Sequence, residues 1–78
     1  MSLTDPSSWP AAPAASEIRN GREAAGLTQR QAGALVYRSP EVWASWERGR
    51  RPMDPALWEL WQLRAADPAW LARVREGA

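Results

Sequence analysis

The stretch GLTQRQAGALVYRSPEVWASWERG, residues 26–49, holds two helix starts and two helix stops in one uninterrupted window. Thr28-Gln29-Arg30-Gln31 has the form of a capping box: Thr28 caps the first turn, and Gln31 reaches back to the Thr28 backbone. Ala32, Leu35 and Val36 then supply an inner face at helical spacing. Ser39-Pro40 opens a second helix, because a proline at the first helical position forfeits no intrahelical hydrogen bond. Gly26 and Gly49 sit where helices end, at positions that tolerate the left-handed conformation only glycine adopts cheaply. Gly33 weakens its helix by up to about 1 kcal/mol relative to alanine, so its presence implies close approach of another helix backbone.

Upstream, Ser16 is a cap candidate for a helix with Ile18, Arg22 and Ala25 on one face. Downstream, Asp54-Pro55 and Asp67-Pro68 repeat the device of a capping residue followed by proline. Five helices are expected, at about 16–25, 28–36, 40–48, 55–66 and 68–76, with no strand pattern and no internal repeat. Met53 can pack on Trp58, and Ala66 on Leu71, as hydrophobic staples. Residues 1–14, MSLTDPSSWPAAPA, carry Pro6, Pro10 and Pro13 without apolar periodicity and read as a flexible or polyproline arm. The domain proper is expected over 15–78.

A chain of 78 residues has room for one small domain, which buries only about 60% of the surface its unfolded chain exposes. It contains no cysteine and no histidine, which removes disulfides, thiolate metal sites, the usual general base and the commonest metal ligand. The reading is therefore a non-enzymatic protein with no catalytic residues, no metal and no cofactor. No apolar run approaches the roughly 20 residues that span a bilayer, and no leader pattern opens the chain, so a cytoplasmic protein without a membrane partner is expected. The net charge of +1 hides an uneven distribution. Residues 19–51 hold seven arginines against three glutamates, and the rest of the chain holds three arginines against six acids. All ten basic residues are arginine, the side chain best suited to phosphate, although composition alone fits a generic solvated surface better.

On the helix expected at 40–48, Trp43, Trp46 and Glu47 share one side with Val42 at its edge, and Glu41, Ala44, Ser45 and Arg48 share the other. The tryptophans read as core, each ring removing about 150–250 Å² from water; base stacking is the alternative. The outer side is slim and polar, which suits entry into the major groove of DNA. Glu41 has two readings: it accepts a hydrogen bond from a cytosine amino group, or it compensates the helix dipole from the first turn.

With its G-L-T-Q opening and its closing W-E-R-G, residues 26–49 resemble the helix-turn-helix of the XRE/Cro class of phage and bacterial repressors, without a gap. The continuation RRPMDPALWELWQL resembles a group of very small phage-type regulators; the anti-CRISPR-associated (Aca) repressors belong to the same broad class. The resemblance implies an all-α, compact five-helix lambda-repressor-like domain. It implies that Ser39, Pro40, Glu41, Ala44 and Ser45 face bases, and that Thr28, Gln29, Arg30, Arg48, Arg50 and Arg51 contact phosphates. Arg38, whose charge resists burial, is placed with the base-facing set, near a base edge or a phosphate. Arg22 and Glu47 match an ion pair that ties the first helix to the recognition helix. Two positions depart from the class: Tyr37 stands where glycine is usual, and Arg38 where an apolar residue is usual. A left-handed Tyr37 costs roughly 1 to 2 kcal/mol, so a different turn is expected there.

The function implied is a sequence-specific regulator of transcription, an autorepressor that binds double-stranded DNA at an inverted repeat in a promoter as a homodimer. Trp70, Leu71 and Val74 form an apolar stripe on the last helix, which either makes the dimer surface or closes the monomer core. No small-molecule ligand is evident. The competing reading is a protein-interaction module, antitoxin-like or inhibitory, that engages a partner enzyme through Trp9, Trp58 or Trp70.

Overall fold

In the computed structural model, which describes residues 2–77, the capping signals are translated into five helices. These are α1 (Ala15–Ala24), α2 (Gln29–Ala34), α3 (Pro40–Glu47), α4 (Pro55–Ala65) and α5 (Pro68–Gly77). No strand is present among the described residues, and the fold is the compact all-α, five-helix arrangement expected from the sequence. Met1 and Ala78, the outer limits of the expected arm and domain, lie outside the described residues. No helix among the described residues is long and apolar enough to cross a membrane.

Four of the five starts are made by the residues with the right side chains. Thr28 Oγ1 accepts from the Gln31 N–H at 3.1 Å, and Gln31 Oε1 accepts from the Thr28 N–H at 3.0 Å. Ser39 Oγ accepts from the Val42 N–H at 3.2 Å. Asp54 and Asp67 each accept from a first-turn N–H, of Ala56 at 2.8 Å and of Ala69 at 2.9 Å. The exception is α1, which is capped at Ala14 rather than Ser16. Its first turn is completed by Glu17, whose Oε1 accepts from the Ala14 N–H at 3.2 Å. An acid at the third helical position satisfies that donor and complements the helix dipole, which lets the helix begin before the serine.

The core runs across the helices through a series of indole rings. Trp46 meets Trp43 edge-on at 5.6 Å between centroids, Trp43 meets Trp61 at 5.2 Å, and Trp61 stacks on Trp58 at 5.3 Å. Ile18, Leu35, Val36 and Met53 are fully buried around them. A buried indole N–H needs an acceptor, and Trp61 Nε1 finds one in the Ala32 carbonyl at 3.0 Å. Trp43 is 0% exposed and Trp46 is buried too, so both serve the core and neither is free to stack on a base.

α2 ends earlier than its apolar spacing suggests. The Val36 and Arg38 N–H groups both donate to the Gly33 carbonyl, at 3.0 and 2.9 Å, and the chain turns at Tyr37 with φ +59°. The left-handed conformation is therefore adopted by tyrosine itself, contrary to the expectation of a different turn. The neighbour that requires glycine at 33 is this turn and not a helix: a Cβ at residue 33 would lie 2.6 Å from the Arg38 carbonyl oxygen.

The N-terminal stretch contains a self-contained 3₁₀ turn, Pro6–Ser8, that the sequence reading lacks. Asp5 Oδ1 accepts from the Ser7 N–H at 3.0 Å, and the Trp9 indole N–H donates to the Leu3 carbonyl at 2.8 Å.

Candidate nucleic-acid interface

α3 is fastened to the rest of the domain by one carboxylate. Glu47 has a side chain only 4% exposed, and it receives Arg22 Nε at 2.6 Å, Arg22 Nη2 at 3.1 Å and Gln29 Nε2 at 3.3 Å, together with the Trp43 indole N–H. Arg22 also donates to the Leu27 carbonyl at 3.0 Å. Glu47 thus joins α1, α2 and α3, and through Arg22 the α1–α2 loop. Burial is the largest influence on the Glu47 carboxyl and acts to raise its pKa. The hydrogen bonds from Arg22, Trp43 and Gln29, with the Arg22 charge, outweigh it and hold the pKa below the ordinary 4.5. The Glu47 hydrogen bond, opposed by burial, likewise raises the pKa of the Arg22 guanidinium above its ordinary value.

With its inner side anchored, α3 turns a shallow concave surface outward. Glu41, Val42, Ser45, Arg50 and Arg51 line it together. The exit from α3 folds back because Gly49 takes φ +72°, after which the Arg50 N–H donates to the Ser45 carbonyl at 3.0 Å. Ser45 Oγ donates to the Val42 carbonyl at 2.6 Å. Its proton is spent inside the helix, so the hydroxyl oxygen faces outward as an acceptor beside the Glu41 carboxylate. The surface is therefore acceptor-rich over α3 and cationic at its exit.

The other expected site residues fall in several places. Arg30, Arg38, Ser39, Arg48, Arg50 and Arg51 are exposed, and Pro40 is half-buried at the start of α3. Arg38 folds back so that one nitrogen donates to the Val36 and Tyr37 carbonyls at 3.2 and 3.3 Å. Thr28 is exposed with its hydroxyl engaged in the capping box. Gln29 is half-buried and turned inward to Glu47, away from the phosphate role implied for its side chain. Ala44 is a correction: it is 7% exposed, on the packed side of α3, and does not face outward. At the edge between two faces of a helix, what packs over the methyl group decides whether it is covered. Trp70, Leu71 and Val74 are half-buried against the core. Of the three tryptophans offered for a protein partner, Trp58 and Trp70 are half-buried and Trp9 is 58% exposed.

Three contributions escaped the sequence reading. The Trp43–Glu47 hydrogen bond spans one helical turn, and the i,i+4 spacing is its signal. Val42 lines the outward surface through its position at the edge of that face. Arg64 has no local signal at all: its Nη1 donates to the Leu35 carbonyl at 2.7 Å, and its guanidinium lies over the rings of Trp70 and Tyr37 at 4.1 and 5.2 Å. It caps α2 and covers the strained Tyr37. Among the described residues no cluster of acids could hold a metal ion.

A protein-family model described as "Helix-turn-helix domain" matches residues 14–69, from the cap of α1 into the first turn of α5. None of the curated proteins compared with the chain matches it. The matched span covers most of the chain and contains both α2 and α3 with the turn between them, and the chain accordingly belongs to the helix-turn-helix domain family.

Proposed function

We propose that the protein is a sequence-specific regulator of transcription that binds double-stranded DNA with α3 in the major groove. The observation that carries this reading is the pairing of a slim acceptor-bearing face, Glu41 and Ser45, with the arginines Arg50 and Arg51 on one surface. Acceptors meet the exocyclic amino groups of cytosine and adenine, while the guanidiniums hold the flanking phosphates. Arg48 at the end of α3 and Arg38 before it extend the positive rim. The closer kinship proposed is with XRE/Cro-type phage repressors, including the anti-CRISPR-associated kind. An autorepressor of that kind covers its own promoter as a homodimer on an inverted repeat, with half-sites about 34 Å apart. Trp70, Leu71 and Val74 pack partly against the monomer core, which favours closing the core over dimer contact as the role of that stripe.

Salt dependence tests the reading. Arg50→Ala is expected to weaken binding to all DNA sequences by a similar factor and to shallow the log–log salt slope by about 0.9. An unchanged slope removes Arg50 from the phosphate contacts. Glu41→Gln is expected to shift preference at a single base position by about 1–3 kcal/mol in a selection from a random-sequence library. Unaltered preference leaves Glu41 with the helix dipole alone. The competing reading, a protein-interaction module, draws on exposed Trp9; it predicts affinity for a protein partner and a flat salt response to DNA.

A further inference from the structure

Arg64, Arg73 and Arg75 belong to the acid-rich part of the chain, and nothing in their spacing joins them to the basic stretch. The fold carries them to it. Arg75 Nη2 donates at 3.2 Å to the Ala25 carbonyl, in the loop that leads into α2. At the other end of α5, Trp70 lies under Arg64, which is bound to Leu35 at the end of α2. α5 therefore runs antiparallel to α2, and its last turns lie beside the first turn of α2. Between the two helices is a groove lined by Arg30, Gln31 and Tyr37 on one side and by Trp70, Arg73 and Val74 on the other.

Arg73 is held without being neutralised. Its guanidinium stacks on the Trp70 ring at 4.4 Å, which fixes the plane of the group and leaves its N–H donors available. Among the described residues the only ion pairs are those of Glu47 with Arg22 and Arg19, so neither Arg73 nor Arg30 has a carboxylate partner. Two exposed, planar cations on opposite walls of one open groove suit a phosphate, which a guanidinium can bind through two parallel hydrogen bonds. α2 links the groove to the helix that carries the proposed DNA surface. Gln29, next to Arg30, is bonded to Glu47 at the end of α3, where Arg48 follows. The cations then run from Arg48 through Arg30 to Arg73, and the carboxylate among them, Glu47, is buried and turned inward.

We infer that Arg73, together with Arg30, holds a phosphate of the DNA backbone beyond the major-groove contact, so that α5 forms part of the DNA-binding surface. The inference rests on the DNA-binding reading above and adds a residue and an element to it. In the full-length chain, Arg73→Gln and Arg30→Gln should each shallow the salt slope on a random-sequence duplex, and the double variant should shallow it by about 0.9, the share of the one phosphate they hold together. Both should weaken specific and random duplexes by the same factor. Arg73→Lys should restore the slope, since it returns the charge, and all these variants should melt within a few degrees of the wild type. A wild-type slope for Arg73→Gln, in a series where Arg50→Ala does shallow it, overturns the role of α5 and leaves DNA binding standing. Loss of all duplex binding by the wild-type protein at low salt overturns both. Tighter, Arg73-dependent binding of polyglutamate than of duplex assigns the groove to an acidic protein instead and overturns the phosphate.

Discussion

Glu47→Ala is expected to lower the unfolding free energy by about 3–5 kcal/mol, the cost of stranding a buried charge whose partner has been removed. Typical stabilities of about 0.05–0.15 kcal/mol per residue place a domain of this length at roughly 4–12 kcal/mol, so the substitution removes much of what holds the fold. The loss exceeds that of one hydrogen bond because the carboxylate serves four donors from three side chains. Arg22, with its side chain 15% exposed, keeps only the Leu27 carbonyl when Glu47 is gone. Urea denaturation at neutral pH measures the effect. A change below 1 kcal/mol contradicts the anchoring role, because exposed ion pairs contribute only that much.

The same site predicts a pH dependence. The Glu47 pKa is depressed in the folded protein relative to its ordinary 4.5. Its contribution is therefore fully present above that value and is lost as pH falls through the lower folded pKa. Stability should be level from pH 7 to about 5 and decline below, and in Glu47→Gln this part of the decline should vanish. A Glu47→Gln curve parallel to that of the wild type would assign the acid sensitivity to other carboxylates.

Gly33→Ala should be the most damaging change that adds a single methyl group. Helix propensity favours alanine by up to about 1 kcal/mol, but the added Cβ falls 2.6 Å from the Arg38 carbonyl oxygen and 3.2 Å from that of Ser39. Both are backbone atoms of the turn that places α3, so relief requires the turn to move. Overpacking of this kind costs about 1–3 kcal/mol, which in a domain of this size lowers the melting temperature by about 4–8 °C for each kcal/mol. DNA binding should suffer beyond the loss of folded protein, because a displaced turn also displaces Ser39, Pro40 and Glu41. Gly21→Ala is the comparison, since its Cβ meets the Trp58 ring at 2.9 Å and the Trp61 ring at 3.2 Å, side chains rather than backbone. Equal melting temperatures for the two alanine variants would show that the turn yields as readily as the rings.

The candidate surface was legible in unequal parts. Glu41, Ser45, Arg50 and Arg51 stand close in sequence, and helical spacing places them on one side of α3 and its exit. Ala44 lies only three residues from Glu41 and was misplaced, because its position at the edge of the face is settled by what packs against it. The inward turn of the Gln29 side chain was not legible, for a similar reason: its bond to Glu47 joins side chains 18 residues apart. The tyrosine at 37 reads from sequence as an obstacle to the left-handed turn, yet the chain adopts it at φ +59°. Two N–H groups bonded to the Gly33 carbonyl, and Arg64 over the ring, over-determine that conformation.

Four of the five helix starts, the stops at Gly26 and Gly49, and the division of α3 into an aromatic and a polar side were determined by the sequence alone. Each depends on groups within about four residues of one another: a capping oxygen and a first-turn N–H, a glycine and its own φ, one helical repeat. The orientation of α5 along α2, the capture of the Leu35 carbonyl by Arg64 and the placing of Arg73 opposite Arg30 were decided only by the tertiary structure. The Trp61 and Arg64 side chains each bond a carbonyl 29 residues away, and no local spacing encodes which carbonyl that is. It follows from how four indole rings and a left-handed tyrosine fill the space between the helices.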